Sequence, residues 1–530
     1  MIKLSKNKGR LFVNLIKNWN KTLYYMFSGL FLISFLLIIF NVIFNKTVHT
    51  YNTFFLLLIM AFFTVLMIVI AKFIAKKKDY FEKNYKKFLF ASCAFLFCAQ
   101  IVLGFCLQFD PMWDLEAIYQ GAISWAERGS FSTYSSNTCH EDYFYIFPNN
   151  LGAMAFLTLF FKLANLLGIQ SYFTVASILN IILIISTMLF AQAICKHFYG
   201  ATGGILCILL FLFSFPFYFM APVFYTDTLS MAFLLGAFYG LLKAENSLKT
   251  KQKICWYLFA AFLCLLGAMI KMTVLVFVIA GVIYFFLKKN WHGLLSFLMI
   301  TIMVVGLGFT IFNSLIYSTQ LHKPKAEAMN MPVYYWVDLA VHNEGRYDNN
   351  IFSYAINQQD PTLRKELLIN DIKNTIKKRG VEEMYQLFET KSAIAFGDGT
   401  YALSDFLDDR PLKENTFLHD LLLYNGKYYK HYSTVTTAIF LAIQILMLWS
   451  VSLKKVDFKF LVPQLCVFGL MVFLMFWEIN SRYIITIIPC IFICAVGGLL
   501  QLSEQFINFR KKNLQNAKVL THNRQGRNIS

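Results

Sequence analysis

Long uninterrupted apolar runs constrain this chain more than any other feature of its sequence. The runs 23–44, 54–73 and 294–317 each hold about the 20 residues that a helix needs to cross a bilayer core. Because lipid offers no partner to unpaired backbone groups, many such runs predict a bundle of spanning helices. Only 15% of the residues are charged, against about 25% in soluble proteins, which excludes an ordinary soluble enzyme. We predict an all-α polytopic membrane protein.

Parity limits the number of spans. Two polar insertions, 110–150 and 319–430, are both expected outside, each three crossings away from a cytoplasmic terminus. The seven apolar segments between them must cross an even number of times, so one does not cross fully. The weakest are 151–168 and 254–287, which Lys271 interrupts. We expect about 12 spans and one re-entrant or juxtamembrane helix. The thirteen segments are 22–44, 53–73, 88–109, 151–168, 171–194, 202–220, 227–242, 254–270, 272–287, 294–318, 434–453, 459–477 and 483–502.

The insertions divide the chain into five predicted parts. The first external loop should contain amphipathic helices, and the second insertion should form a small external α or α+β domain. The parts are a cytoplasmic N-terminus with two additional spans (1–87), a membrane core with the external loop 110–150 (88–318), the external domain (319–430), the C-terminal spans (431–502) and a basic cytoplasmic tail (503–530).

The positive charge is distributed as in a membrane protein. The formal net charge is +19, yet residues 319–430 carry 14 basic and 16 acidic side chains. The excess therefore lies in short clusters between apolar runs, which predicts that both termini are cytoplasmic. None of these clusters forms a nucleic-acid-binding motif. We expect membrane lipids and no nucleic acid as partners.

An acidic cluster follows the third apolar run. Asp110, Asp114 and Glu116 fall within seven residues, and carboxylates this close repel one another unless they share a proton, a cation or a metal. Such crowding can tune a general base. The alternative is a solvated acidic loop, and Asp110 competes with Asp114 for the role of base.

Three further acidic residues, at two places in the chain, lie on the same predicted face. Glu141 and Asp142 lie near the end of the first external loop. Asn149 and Asn150, which follow them, could simply cap the next helix. Asp227 is the only charge in a short polar island between two apolar runs. It is either the N-cap of the following helix or a second carboxylate at the site, and these two interpretations are compatible.

Two cations complete the set. Arg482 follows an apolar run on the external side, and its guanidinium matches the geometry of a phosphate. Its alternatives are an interfacial anchor and a partner of Glu478. Lys271 lies alone among apolar residues, so it either approaches the external site as a second phosphate ligand or pairs with a buried carboxylate such as Asp227.

Carboxylates and cations on one membrane face suit transfer from a lipid-linked phosphate donor. A carboxylate would remove the proton from an acceptor hydroxyl, and the cations would neutralise the departing phosphate. An enzyme that uses a soluble nucleotide sugar would show a Rossmann-type βαβ region, and the sequence contains none.

The order of these features resembles the GT-C superfamily of integral-membrane glycosyltransferases. The closest resemblance is to the bacterial branch akin to protein O-mannosyltransferases and aminoarabinose transferases, the glycosyltransferase 39 type, and it covers roughly residues 88–500. The motifs that carry it are Trp113-Asp114 through Tyr119, Phe147-Pro148-Asn149-Asn150, Tyr225-Thr226-Asp227, Lys271-Met272-Thr273 and Arg482-Tyr483 followed by Pro489.

The resemblance implies roles for particular residues. Asp114, with Asp110 as its competitor, would be the base or a metal-associated acid, and Asp227 a supporting acid. Lys271 and Arg482 would lie on the phosphate side. Substrate contacts are expected from Tyr225, Tyr483, Glu141 and Asp142. Family members differ in metal use, which leaves open a divalent ion held by Asp114 and Glu141. The chain departs from the family by lacking adjacent Asp and Glu in the loop and by having Pro148-Asn149 where Pro-Pro is frequent.

The sequence thus predicts a glycosyltransferase of the bacterial cytoplasmic membrane. It would move a sugar from a polyprenyl-phosphate donor of the undecaprenyl type to an acceptor hydroxyl on the outer side. The acceptor could be a cell-envelope polymer, a glycolipid or a protein. The alternatives are a lipid-linked glycan flippase or transporter, for which charges in mid-span would be expected, and a glycan polymerase or ligase.

Overall fold

The protein forms an all-helical bundle. The structure, a computed structural model, describes residues 18–44, 52–131, 136, 138–407, 411–412, 416–453 and 455–505, and within them no strand is formed. Eight helices in this part of the chain are long and apolar enough to cross a membrane, and two shorter apolar helices accompany them. The predicted class, an all-α multi-pass membrane protein, is confirmed. The count of about 12 spans stays a prediction.

The N-terminal part of the chain, as far as the structure describes it, forms four helices, of which the first three precede the predicted membrane core. The side chain of Asn52 accepts hydrogen bonds from the N–H groups of Phe54 and Phe55 and so begins the second helix. These elements are α1 (Trp19–Phe44), α2 (Thr53–Lys76), α3 (Lys78–Lys83) and α4 (Tyr85–Cys106).

In its described residues, the first external loop contains one amphipathic helix of 16 residues and one helix of four residues, and a second 16-residue helix follows the loop. The amphipathic helix buries one side and ends at Gly129, whose φ of 75° is left-handed. The elements are α5 (Trp113–Arg128), α6 (Tyr143–Ile146) and α7 (Leu151–Leu166).

The central helices contain two breaks. Gly200, with φ 64°, divides α8 into two arms, and extended backbone at Lys271 separates α10 from the next turn of helix. These helices are α8 (Tyr172–Phe213), α9 (Thr226–Glu245), α10 (Thr250–Ile270), α11 (Val276–Leu287) and α12 (Trp291–Thr319).

The second insertion begins with four helices that share a small core. Buried apolar side chains such as Tyr335, Leu339 and Leu368 pack there against Ile146 of the first loop. Arg364 is buried and donates hydrogen bonds to carbonyl groups that surround it. The helices are α13 (Lys323–Met329), α14 (Tyr334–Val341), α15 (Asn349–Asn357) and α16 (Pro361–Gly397). Of the two predicted classes for this domain, α and α+β, the described residues therefore form the all-α one.

The second half of α16 leaves this subdomain and enters the bundle. Gly380, with φ 66°, breaks the helix. Beyond it Phe396 packs against Phe35 of α1 with ring centroids 5.2 Å apart, and its carbonyl accepts a hydrogen bond from Gln444. Part of the segment 319–430 therefore lies among the apolar helices, although the sequence analysis places the whole segment in an external domain. The remaining helices are α17 (Leu403–Leu407), α18 (Phe417–Leu422), α19 (Tyr429–Trp449), α20 (Leu461–Met475) and α21 (Ser481–Gln505).

The two ends of the bundle differ in charge. At one end lie the basic connections, where Lys288 donates to Glu245 at 2.9 Å and the Tyr24 hydroxyl donates to the Asp457 carbonyl at 3.1 Å. We call this the basic end. The positive-inside rule predicts that it is cytoplasmic. The opposite end carries the first external loop and the subdomain, and we call it the site end.

Both ends of α7 lie at the site end. Gly152 packs so tightly on the backbone of Met269, close to Lys271, that a Cβ would not fit. Near the other end of α7, the Phe161 ring is 5.0 Å from the ring of Tyr172, where α8 begins, and 5.9 Å from that of Tyr119 in α5. A 16-residue helix spans about 24 Å, less than the bilayer core. This is the geometry of a juxtamembrane helix, and 151–168 is one of the two segments proposed for that role from the sequence.

Thiol labelling tests this topology. In a background without native cysteines, Asn149→Cys and Gly168→Cys should both react with a membrane-impermeant maleimide in intact cells, since both ends of α7 face the same side. Lys249→Cys, at the basic end, should react only after permeabilisation. Opposite accessibility of positions 149 and 168 would show that α7 crosses the membrane.

Candidate functional site

Two tyrosine hydroxyls hold the Asp114 carboxylate. Asp114 lies in the first turn of α5 and is partly exposed. Tyr143 donates to Oδ1 at 2.7 Å, and Tyr225 donates to Oδ2 at 2.8 Å. Each oxygen retains a second lone pair, so the carboxylate can accept a further proton or hydrogen bond. The arrangement presents an oriented carboxylate at the site end.

A chain of amide groups orients Tyr143. The Asn150 side chain donates to the Tyr143 hydroxyl, and Asn149 donates to Oδ1 of Asn150 at 3.3 Å. Asn150 precedes α7 but makes no side-chain cap hydrogen bond there, so the capping alternative for Asn150 is wrong. Burial and the charge of Asp114 raise the pKa of the Tyr143 phenol well above its usual range, which keeps its proton available for donation.

The backbone just before Asp114 is held in a strained conformation. Trp113 has a φ of 53°, which is uncommon for a residue with a side chain. Its N–H donates to the Thr138 hydroxyl at 2.8 Å. Thr138 in turn donates its hydroxyl and its N–H to Glu116, which is 4% exposed. Glu116 thus links the two ends of the first external loop and fixes the direction in which Asp114 points.

Arg482 lies over the aromatic ring whose hydroxyl binds Asp114. Its guanidinium carbon is 4.9 Å from the ring centre of Tyr225, 5.4 Å from that of Phe406 and 5.4 Å from that of Tyr483. Cation–π attraction of this kind strengthens where water is excluded. The Nε atom of Arg482 is buried and has no hydrogen-bond partner among the described residues. One donor of this cation is therefore available to an anion.

Lys271 and Asp227 form a buried ion pair beside Arg482. Lys271 Nζ contacts Oδ1 of Asp227, whose side chain is 2% exposed, and the ammonium also lies 5.1 Å from the ring centre of Tyr483. Asp227 belongs to the first turn of α9, where Tyr225 is the N-cap residue, so the capping alternative for Asp227 is wrong. Its Oδ2 is buried and has no hydrogen-bond partner in the part of the chain that the structure describes.

The two residues just before Arg482 hold the start of α21 in place through hydrogen bonds. Asn480 accepts the Arg482 N–H at 3.1 Å and donates its own amide to Asp405 at 3.1 Å, while the Ser481 hydroxyl donates to Asp398 at 2.7 Å. Both aspartates belong to the segment 398–407, which directly follows α16. This segment therefore positions the start of α21.

Glu478 is a second carboxylate near Asp114 and Arg482. Its pKa is raised to about 7, chiefly by burial. The charge of Asp114 acts in the same direction, whereas Arg482 and a hydrogen bond with Tyr483 act in the opposite direction. The sequence indicates Glu478 only as an alternative partner of Arg482. The signal that it belongs to the candidate site is its isolated position beside an apolar run.

Three predicted residues lie apart from this cluster. Asp110 is exposed and acts electrostatically on Tyr119. Asp142 accepts a hydrogen bond from Lys325 of α13 at 2.7 Å, an ion pair that joins the first loop to the subdomain, and Glu141 is exposed beside it. The structure brings together Asp114, Tyr225, Asp227, Lys271, Arg482 and Tyr483, and we call these six residues the central cluster.

The sequence predicts Asp114 and Glu141 as possible ligands of a divalent ion. Among the described residues, neither belongs to a group of three His, Cys, Asp or Glu side chains close enough to share an ion. The divalent ion stays a prediction.

Comparison with known proteins places the chain in a family. Residues 12–500 match the model of a family described as "Conserved hypothetical integral membrane protein". The chain belongs to this family. No curated protein and no solved structure matches it. The family description states membrane integration and no activity, so the resemblance to GT-C glycosyltransferases stays a prediction.

The raised pKa of Glu478 predicts a pH-dependent stability. Because the pKa is about 7 in the fold and near 4.5 when unfolded, the folded state holds the proton more tightly, and stability is lost as the pH rises through 7. Between pH 5 and pH 8 this group should lower the free energy of unfolding by about 1–3 kcal/mol. Glu478→Gln should reduce that loss when unfolding in detergent is followed by tryptophan fluorescence.

Glu344→Gln is the matched control, because Glu344 is exposed beside Arg346. This variant should retain the pH dependence of the wild type. Equal pH dependence in wild type and Glu478→Gln would show that Glu478 titrates near its ordinary value.

Proposed function

We propose that this membrane protein is a glycosyltransferase of the GT-C type. It would transfer a sugar from a polyprenyl-phosphate donor to an acceptor hydroxyl at the site end of the bundle, which the charge pattern predicts to lie outside the cytoplasmic membrane. The observation that carries the proposal is the double role of Tyr225. Its hydroxyl binds the Asp114 carboxylate while its ring lies under the Arg482 guanidinium.

In the proposed reaction Asp114 is the base. The acceptor hydroxyl gives its proton to a free lone pair of the carboxylate as its oxygen attacks the anomeric carbon of the sugar. The bond from that carbon to the phosphate oxygen breaks, and the phosphate leaves on its lipid carrier. Attack opposite to the leaving phosphate inverts the anomeric centre.

The cations of the central cluster suit the leaving phosphate. Arg482 has a buried Nε with no hydrogen-bond partner in the described part of the chain, and Lys271 lies close to Arg482. Positive charge fixed in a site that excludes water stabilises developing negative charge without reorganisation. Asp227 offsets part of the charge of Lys271, so that the site is not strongly cationic before the donor binds.

The surroundings of the cluster suit both substrates. Met272, next to Lys271, is apolar and 54% exposed, which fits a lipid carrier arriving from the bilayer. On the subdomain side, Trp336 stacks on Trp477 with centroids 5.3 Å apart and an interplanar angle of 8°. Flat aromatic surfaces of this kind pack well against sugar rings.

Replacement of the base tests the proposal. In cells that carry Asp114→Asn in place of the wild-type gene, the glycan product should fall by about 10²–10⁴-fold, because the amide keeps the shape but cannot take the proton. The measurement is mass spectrometry of cell-envelope glycans, compared with a deletion strain, at equal amounts of membrane-inserted protein.

Asp79→Asn is the matched control, since Asp79 is an exposed carboxylate in α3, between Lys76 and Lys83. It should leave the glycans unchanged. Full product from Asp114→Asn would reassign the base, with Asp110→Asn as the next variant. Glycans that are identical in wild type and deletion strains would refute the proposed function.

Arg482 provides an independent test of donor recognition. Arg482→Ala should lower transfer by about 10²–10³-fold, as for loss of one charge-stabilising donor, whereas Arg482→Lys should retain part of the activity because it keeps the charge. Transfer from lipid-linked sugars extracted from the same cells, measured against donor concentration, separates the two variants. Unchanged donor dependence in Arg482→Ala would make Arg482 an interfacial anchor.

A further inference from the structure

A second group of polar residues lies in the subdomain, away from the central cluster. Asp338 belongs to α14, His342 caps its C-terminal end, and Asp371 lies in α16. One ligand atom from each of the three falls within 4.8 Å of the other two. The proposed transfer reaction uses none of these residues.

The distances suit a small metal ion. Nε2 of His342 lies 3.1 Å from Oδ2 of Asp371 and 3.3 Å from Oδ1 of Asp338. Ligand atoms around a tetrahedral zinc ion with bonds of about 2.0–2.1 Å are about 3.3 Å apart. Both distances from the imidazole nitrogen are thus already close to those that such an ion would impose, and one oxygen of each aspartate lies within 4.8 Å of the other.

The group has more acceptors than donors. Oδ1 of Asp338 is buried and accepts no hydrogen bond from the described residues, although Nε2 of His342 lies 3.3 Å away, and the side chain is 0% exposed. The same Nε2 lies 3.1 Å from Asp371 and 3.1 Å from the Thr375 hydroxyl, and its single N–H can serve only one of the two carboxylates. A buried acceptor without a donor is costly. A cation at this position would remove that cost.

The Tyr354 hydroxyl determines which oxygen of Asp338 stays without a hydrogen bond. Tyr354 of α15 lies close to Oδ2 of Asp338 and 3.0 Å from Oδ2 of Asp371, and its single proton can serve only one of them. Donation to Oδ2 of Asp338 leaves Oδ1 for a metal. Hydrogen bonds from outer groups orient metal-binding carboxylates in this way.

We propose that Asp338, His342 and Asp371 bind one first-row divalent metal ion, of which Zn²⁺ is the probe of choice. One imidazole and two carboxylates are ligands that zinc accepts, and a fourth position remains for water. The ion would tie the end of α14 to α16.

A metal ion bound by these residues would affect the candidate functional site through α14. The same helix carries Trp336, which stacks on Trp477, and Tyr335, on which Asp114 and Glu478 act electrostatically. Holding α14 against α16 therefore fixes the aromatic side of the candidate site. The metal would be structural and would not touch the reacting atoms.

Metal content of the purified full-length protein tests the proposal. After removal of metals with a chelator, incubation with Zn²⁺ and dialysis, the wild type should retain one zinc ion per chain that His342→Ala and Asp371→Asn do not retain. Zinc should also raise the melting temperature of the wild type, because it binds only the folded state, and should leave that of His342→Ala unchanged. Tyr354→Phe keeps all three ligands and should bind zinc about 10–100-fold more weakly.

Two exposed residues provide matched controls: His431→Ala and Glu366→Gln should bind zinc as the wild type does. If the ligand variants do not fold, Tyr354→Phe alone decides the outcome. Equal zinc retention in wild type and His342→Ala, or no retained zinc in the wild type, would overturn the proposal and leave an Asp–His–Asp ion pair. The measurement needs no transfer assay, so its failure is separate from any failure of the proposed glycosyltransferase function.

Discussion

The cost of holding charge among apolar helices governs the site end of this protein. An isolated charge taken from water into such surroundings is strongly disfavoured. Lys271 and Asp227 therefore meet in an ion pair, and Arg482 lies between aromatic rings whose faces attract its charge. This compensation is incomplete, since Oδ2 of Asp227 and Nε of Arg482 find no hydrogen-bond partner among the residues that the structure describes. Polar groups left unsatisfied at one place are expected of a binding site rather than of a structural core.

Aromatic hydroxyls connect the charged groups to the rest of the fold. Tyr143 comes from the first external loop, and Tyr225 from the start of α9. Each places its hydroxyl on Asp114 while its ring packs against apolar neighbours. Tyrosine serves this purpose because it buries a large apolar surface and still offers one polar atom. The site is thus built where an apolar bundle and a polar loop meet.

The second insertion is divided between two environments. Its first four helices form a subdomain on the first loop, joined by the ion pair of Lys325 and Asp142. Beyond Gly380 the chain enters the bundle, where Lys391 is fully buried and donates to the carbonyl groups of Ala340, Met475 and Trp477. This lysine joins the end of α14 to the end of α20 and so links the subdomain to the bundle.

The sequence by itself determined the membrane class, the helical fold and the separation of a basic end from a polar end, because run length and charge pattern are local properties of the chain. It also named the six residues of the central cluster, whose roles remain predictions. Only the tertiary structure decided that Asn150 orients Tyr143, that both ends of α7 lie at the site end, and that the chain after Gly380 enters the bundle. These features depend on contacts between side chains brought together by packing, and a local pattern does not specify which distant partner a polar side chain will meet.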